Sequence, residues 1–249
     1  MLIYHYPQLY PGKLVKRYKR FLADIELDTG ELITAHCPNT GPMTGVCQIG
    51  APVLVSYHDN PKRKLKYTWE AIEVESTNPN VTTRVWVGIN TALPNRLIKT
   101  ALEQHLFPEL PDYQTVRSEV VYGKDNRSRV DFVLSGEDGL TYLEVKNTTW
   151  SIDDVAIFPD TETTRGQKHL EELTDILMDP SHNHRAVMLY VINRSDLAKF
   201  SPGDTTDPRY SQLLRTAVAQ GLQVLPYRFE VTPEGVSYLG IAETILSMS

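Results

Sequence analysis

The chain has 249 residues, 41% hydrophobic and 22% charged, with a net charge of −6. That length holds one large domain or two modest ones around a buried core. Met1-Leu2-Ile3-Tyr4-His5 shows no secretion signal, and the longest apolar run, residues 186–192, is far short of a membrane span; the sequence therefore predicts a cytoplasmic protein with no membrane partner.

Cys37 and Cys47 are expected as reduced thiols, and with His36 they are too few and badly spaced for a zinc site. The acidic total argues only mildly against nucleic acid. Residues 1–75 carry nine Lys/Arg against eight Asp/Glu, so the excess acid lies in the rest of the chain.

The first 75 residues read as all-β, with candidate strands at 14–27, 32–36, 52–57 and 66–75. Turn-rich stretches around Gly30, Gly41 and Pro61 punctuate them, which predicts a small OB-type barrel as a first domain over residues 1–80. Two basic clusters sit there: Lys16, Arg17, Lys19 and Arg20, then Lys62, Arg63, Lys64 and Lys66. Tyr18, Phe21, Tyr57, Tyr67 and Trp69 lie among them. Cations that track a backbone, interleaved with rings that stack on bases, suit a DNA partner, single-stranded or at a junction. The other reading makes Phe21 and Trp69 core residues and the lysines solubilising charge.

After a linker near 76–80, residues 81–249 alternate strands and helices, which predicts a mixed-sheet α/β domain. A short strand at 84–87 precedes a helix opening at Pro94 and Asn95, with Leu97, Ile98, Ala101, Leu102 and Leu106 on one face and Glu103 on the polar side. The strand 115–122 carries Glu119, either a third carboxylate for the site below or an ion-pair partner of Arg117 or Arg129.

Residues 129–146, RVDFVLSGEDGLTYLEVK, form the predicted hairpin around Gly136-Glu137-Asp138-Gly139. Pairing Ser135 with Leu140 across that turn puts Asp131 opposite Glu144. Facing carboxylates repel unless a cation lies between them. Lys146, two residues beyond Glu144, supplies that charge, or a metal does. Two carboxylates and a lysine suit a Mg²⁺- or Mn²⁺-dependent phosphodiesterase, with Asp131 and Glu144 as metal ligands and Lys146 orienting water or stabilising the phosphate.

A helix is expected from Thr164, with Gln167 facing the sheet at its first turn. Gln167 either touches the site or completes a capping box from Thr164, while Arg165 and Lys168 at the same end suit phosphate. A buried strand at 186–192, a helix opened by Asp207-Pro208 and a last sheet strand at 222–227 follow; His182-Asn183-His184 is read as loop.

The spacing Asp131-x12-Glu144-x-Lys146 resembles that of the PD-(D/E)xK nucleases, whose fold is restriction-endonuclease-like. RYKRFLADIEL (17–27), HCPNTGPMTG (36–45), NPKRKLKYTWE (60–70), NRLIKTAL (95–102), SEVVYG (118–123), SRVDF (128–132), EVKNTT (144–149) and FPDTETTRGQKHLEEL (158–173) together resemble the sugar fermentation stimulation protein A family. That resemblance implies an OB-type domain followed by a nuclease-like domain. It also implies non-specific DNA binding linked to regulation of maltose metabolism, without establishing cleavage.

Overall fold

The computed structural model describes residues 1–123, 128–181 and 183–247; His182 of the expected 182–184 loop lies outside them. The chain opens with β1 (Leu2–His5) and then builds β2 (Leu9–Tyr18), β3 (Leu22–Leu27), β4 (Leu32–His36), β5 (Pro52–Tyr57) and β6 (Tyr67–Glu75). In β3 the side chains of Ala23, Ile25 and Leu27 are buried while those between them are not, the alternation of a strand with one face on a core. β2 pairs with β3 and β5, β3 with β4, and β5 with β6, all antiparallel. β4 then closes onto β6 in parallel through Ala35–Tyr67 and His36–Thr68. This closed five-stranded barrel is an OB-type fold.

Trp69 is fully buried inside it and donates from Nε1 to the Ala71 carbonyl at 2.9 Å, whereas Phe21 is 46% exposed. Of these two rings, one is core and one is available. The single strand expected at 14–27 is two strands. Lys19 and Arg20, both left-handed at φ 49° and 66°, reverse the chain between them. No glycine, asparagine or aspartate marks that turn, so nothing in the residue types announced it.

The second unit comprises β7 (Arg84–Gly88), α1 (Leu93–Glu103), β8 (Thr115–Tyr122), β9 (Ser128–Gly136), β10 (Gly139–Thr148), β11 (Ser151–Ile152), β12 (Val155–Phe158) and α2 (Thr164–Leu177). It continues with β13 (Arg185–Ile192), β14 (Lys199–Pro202), α3 (Pro208–Ala219), β15 (Gln223–Val231), β16 (Gly235–Ile241) and β17 (Glu243–Thr244). Its main sheet runs β8-β9-β10-β13-β15. The β10–β13 and β13–β15 pairs are parallel and the rest antiparallel, which is the mixed sheet of a restriction-endonuclease-like domain. Strands β11, β12, β14 and β17 make a small separate sheet.

α1 packs on one face with Leu143, Val145, Leu189 and Tyr227. On the other face α2 and α3 cover Met188, Tyr190 and Ile192. A strand covered on both sides must be apolar throughout, which explains the uninterrupted run in β13.

Two boundaries differ from the sequence expectation. The sheet does not end at 222–227: β15 runs on to Val231 and returns as β16, onto which β1 pairs through Leu2–Ser237, Tyr4–Val236 and His5–Gly235. The first residues of the chain therefore complete the sheet of the second unit. Conversely β7, assigned by sequence to that unit, pairs with β6 of the barrel over five positions and meets β15 only at Trp86–Val231. Barrel and mixed sheet are thus hydrogen-bonded into one continuous sheet.

The linker is pinned as well. Ser76 Oγ donates to Asp196 Oδ2 at 2.7 Å, Asn78 Nδ2 donates to the Asp196 carbonyl at 2.8 Å, and Arg194 forks onto both Asp196 oxygens at 2.7 Å.

Candidate functional site

The β9–β10 hairpin has the expected register. Leu140 pairs with Ser135, Thr141 with Leu134, Tyr142 with Val133 and Leu143 with Phe132. Gly139 adopts φ 121°, and a Cβ on Gly136 would meet the Asp112 carbonyl oxygen at 2.2 Å, so glycine is required at both ends of the turn. Regular pairing stops one step short of Asp131 and Glu144. There the Val145 N–H donates to Asp131 Oδ2 at 2.8 Å, and Asn95 Nδ2 from the first turn of α1 donates to Asp131 Oδ1 at 2.7 Å.

Glu144 is only 3% exposed. Its Oε1 accepts from Lys146 Nζ at 2.6 Å and is also in close contact with His169 Nδ1, while Nζ lies 3.3 Å from that same ring nitrogen. Arg165 Nε donates to His169 Nε2 at 3.4 Å, which leaves Nδ1 to carry the proton facing Glu144. Glu144 Oε2 is buried and has no hydrogen-bond partner.

The two carboxyls are pushed in opposite directions. Burial raises Asp131, the neighbouring Glu144 raises it further, and the Val145 hydrogen bond, the Lys146 charge and the Asn95 hydrogen bond do not compensate. Burial also opposes ionisation of Glu144, but Lys146 and His169 outweigh it and hold that carboxyl below its ordinary range. Beside them, burial, followed by Glu144 and Glu172, pushes the Tyr122 phenol far up.

A hard divalent cation fits this donor set. It would give Glu144 Oε2 the partner it lacks and relieve the cost of ionising Asp131. Among the described residues no cluster of three or more His, Cys, Asp or Glu side chains is placed to hold a metal. The remaining ligands would be water and phosphate, which Mg²⁺ accepts.

A folded-state pKa raised above the unfolded value contributes stability at low pH that is lost as pH rises through the raised value. Asp131→Asn is therefore expected to raise the melting temperature of the metal-free protein at neutral pH by about 1–3 °C, and to abolish any rise on adding Mg²⁺. Differential scanning fluorimetry with and without EDTA checks both.

The remaining expected site residues are dispersed. Glu119 lies level with Asp131 on the neighbouring strand, between the pairs Ser118–Phe132 and Val120–Val130, but its backbone is left-handed at φ 54° and its side chain is exposed. Among the described residues it pairs with neither Arg117 nor Arg129, so it joins neither arrangement expected of it. Gln167 is buried and spends its amide on Asp207, at 2.9 and 3.1 Å, while Asp207 caps α3 through Tyr210 N. The cap of α2 is Thr163, accepting from Gly166 N at 3.1 Å, so the expected Thr164–Gln167 box does not form. Lys168 is exposed and 3.4 Å from Glu172, and Glu103 is 3.8 Å from Lys99, on the solvent side of α1.

His169 and Asn95 were missed. His169 shares the inward stripe with Leu173, and a titratable side chain on such a stripe was the available signal. Asn95 at a helix start looks like ordinary capping chemistry.

In the barrel, Arg17 Nη2 donates to the carbonyls of Arg20, Asn39 and Gly41 at 2.9–3.0 Å, and Arg20 Nε donates to Thr40 at 2.8 Å. These two guanidiniums hold the 39–41 loop. Lys16 is exposed with Nζ 5.3 Å from the Tyr18 ring centroid, and Lys19 is exposed at the hairpin tip. On the β5–β6 connection Lys62, Lys64 and Lys66 are exposed, the last 3.3 Å from the Tyr57 hydroxyl, while half-buried Arg63 donates to Thr68 Oγ1 at 2.9 Å.

An OB-type barrel continuous with a restriction-endonuclease-like sheet that carries Asp131, Glu144 and Lys146 at one hairpin defines a class of two-part, nuclease-like proteins. Residues 15–89 match the SfsA N-terminal OB domain, and residues 92–235 match the sugar fermentation stimulation protein RE domain. The chain belongs to the sugar fermentation stimulation protein family.

It is 60% identical over 242 residues to a sugar fermentation stimulation protein homolog from a Picosynechococcus species, covering 96% of this chain and 92% of that one. With the homolog from Trichormus variabilis it shares 58% over 246 residues, 98% of each chain. It is also similar in fold to Pyrococcus furiosus SfsA, solved in complex with Ca²⁺, with TM-score 0.84, 21% identity, and coverage of 98% and 99%. Among the described residues no helix is long and apolar enough to cross a membrane.

Proposed function

We propose that this chain is a Mg²⁺- or Mn²⁺-dependent nuclease that hydrolyses phosphodiester bonds in DNA held by the barrel. The supporting observation is the carboxylate pair of half-buried Asp131 and buried Glu144, with Lys146 against Glu144 and the second Glu144 oxygen left without a partner. Asp131 and Glu144 would hold the cation, which supplies Lewis acidity toward phosphate and acidifies bound water. Lys146 places positive charge where a phosphate or an attacking water would lie. Asn95 fixes the Asp131 carboxylate, and His169 fixes that of Glu144. That a relative in fold was solved with Ca²⁺, another cation that takes oxygen ligands, agrees with this choice of metal. Nicking of labelled single-stranded and junction oligonucleotides, with Mg²⁺ or Mn²⁺ and then EDTA, tests the reading.

A second reading, a non-specific DNA-binding regulator of sugar metabolism without cleavage, is favoured by one observation. Glu144 already has Lys146 as its counter-charge and His169 as a second contact. Protein that binds DNA yet cuts neither DNA nor RNA with any divalent metal would establish it.

In either case the exposed lysines carry the affinity. Lys62→Ala and Lys64→Ala are each expected to weaken DNA binding about 3- to 10-fold and to flatten the salt dependence by about one unit of slope. Arg17→Ala, which frees the 39–41 loop, is expected to lower the melting temperature instead. Fluorescence anisotropy across a salt series, alongside thermal melts, separates the two roles.

A further inference from the structure

A cavity of about 660 Å³ lies away from the carboxylate pair, where the barrel, β1 and the start of α1 meet. Its floor is Glu70, 6% exposed. That carboxylate accepts from Ser56 Oγ at 2.6 Å and from Asn90 Nδ2 at 2.8 Å, so both oxygens are engaged. The lining also includes Arg63 and Arg96, which have no carboxylate partner among the described residues. Arg63 uses one nitrogen on Thr68, and Arg96 lies 5.1 Å from the Tyr4 ring centroid. His36 and His58 add imidazoles, and Tyr4 and Tyr6 meet edge to face at 5.3 Å.

A volume of this size is typical of a small-molecule site. Its two guanidiniums without a carboxylate partner call for an occupant that brings acceptors and negative charge. Guanidinium forks match phosphate, and tyrosine rings match a flat base. We infer that the cavity between barrel, β1 and α1 binds a nucleoside monophosphate, either free or as the 5′-terminal nucleotide of a strand, with Arg63 and Arg96 on the phosphate.

Its position supports the strand as a source. Arg63 and Lys64 also line a shallow hollow beside the cavity, which extends the basic loop 62–66 to its mouth. Arg96 directly follows Asn95, whose amide holds Asp131, so one turn of α1 touches both the cavity and the carboxylate site. This inference goes beyond the nuclease reading and does not depend on it, because occupancy requires neither metal nor cleavage.

The test is isothermal titration calorimetry of the full chain in EDTA. The titrants are deoxyadenosine monophosphate, deoxyadenosine, inorganic phosphate, and one oligonucleotide with either a 5′-phosphate or a 5′-hydroxyl. The monophosphate is expected to bind at least about tenfold more tightly than the nucleoside, which lacks the charge-assisted contacts, and than inorganic phosphate, which lacks the base that the tyrosine rings would meet. Arg96→Gln and Arg63→Gln should each reduce that affinity about tenfold while Lys146→Met leaves it unchanged; circular dichroism of each variant shows that it is folded. A preference for the 5′-phosphorylated oligonucleotide assigns the pocket to strand ends. Equal binding of the two oligonucleotides, with the mononucleotide still bound, assigns it to the free nucleotide. No heat with the monophosphate at millimolar concentration, affinity equal to inorganic phosphate, or affinity indifferent to both arginine changes overturns the inference.

Discussion

Changing Lys146 to methionine is expected to lower the rate of DNA nicking about 10²- to 10³-fold, the range for removing one charge-stabilising group from an active site, with DNA affinity unchanged. Methionine keeps most of the unbranched stem and removes the ammonium that lies 2.6 Å from Glu144 Oε1. The 13% exposure of the lysine side chain leaves little room for water to replace that charge. Glu144 would then be held by His169 alone, and its carboxyl would rise toward, or above, its ordinary range. With the competing cation gone, metal binding should persist or tighten while cleavage falls. That split distinguishes a residue acting on phosphate or water from one that merely keeps two carboxylates apart. Single-turnover nicking and metal calorimetry on the same preparation read both quantities. Undiminished cleavage by Lys146→Met would reduce the lysine to a counter-charge.

The second large effect concerns stability. Asp196→Ala is expected to cost about 3–5 kcal/mol, as breaking a buried ion pair does, and to lower the melting temperature by roughly 10 °C. Arg194 and Asp196 have side chains 3% and 0% exposed, so the arginine would be left charged and buried beside the Thr149 carbonyl, with no carboxylate. The linker would lose one of its two anchors as well, since Ser76 Oγ ends on the same carboxylate while Asn78 stays on the backbone carbonyl. Ser76→Ala should cost only about 1 kcal/mol, the worth of one hydrogen bond. Burial works against ionisation of Asp196, but Arg194 and Ser76 overcome it and hold the carboxyl below its usual range. Its contribution is therefore present above the unfolded carboxyl pKa and lost as pH falls through the folded one. Wild type and Asp196→Ala should converge in stability in acid. Chemical denaturation at pH 7 and in acid checks this.

What could be read from residues alone was local. The hairpin register followed from a short glycine-bounded turn, because a tight turn leaves the following pairs no freedom. The barrel strands at 32–36 and 52–57 followed from short runs set between turn signals, and the Asp207-Pro208 cap from its own chemistry. What failed depended on distant partners. Gln167 faces inward as its helical position requires, but whether an inward amide meets a phosphate or a capping aspartate depends on where α3 lies. Glu119 has the right strand and level, and a left-handed backbone turns it outward. Arg17 and Arg20 look like the lysines around them until the 39–41 loop folds over and takes their donors. His169 became part of the site only because α2 packs over β13, the strand beside β10, so that its ring reaches Glu144.

The pairing of β1 with β16 joins Leu2 to Ser237. During synthesis at about 5–20 residues per second, β1 leaves the ribosome long before β16 and waits roughly ten seconds or longer for that partner. The barrel strands, whose partners lie far closer in sequence than Leu2 does to Ser237, can assemble in that interval. A nascent chain stalled before residue 235 should therefore carry a folded barrel with a loose leading arm. It should also lack a finished wall for the cavity that Tyr4 and Tyr6 line.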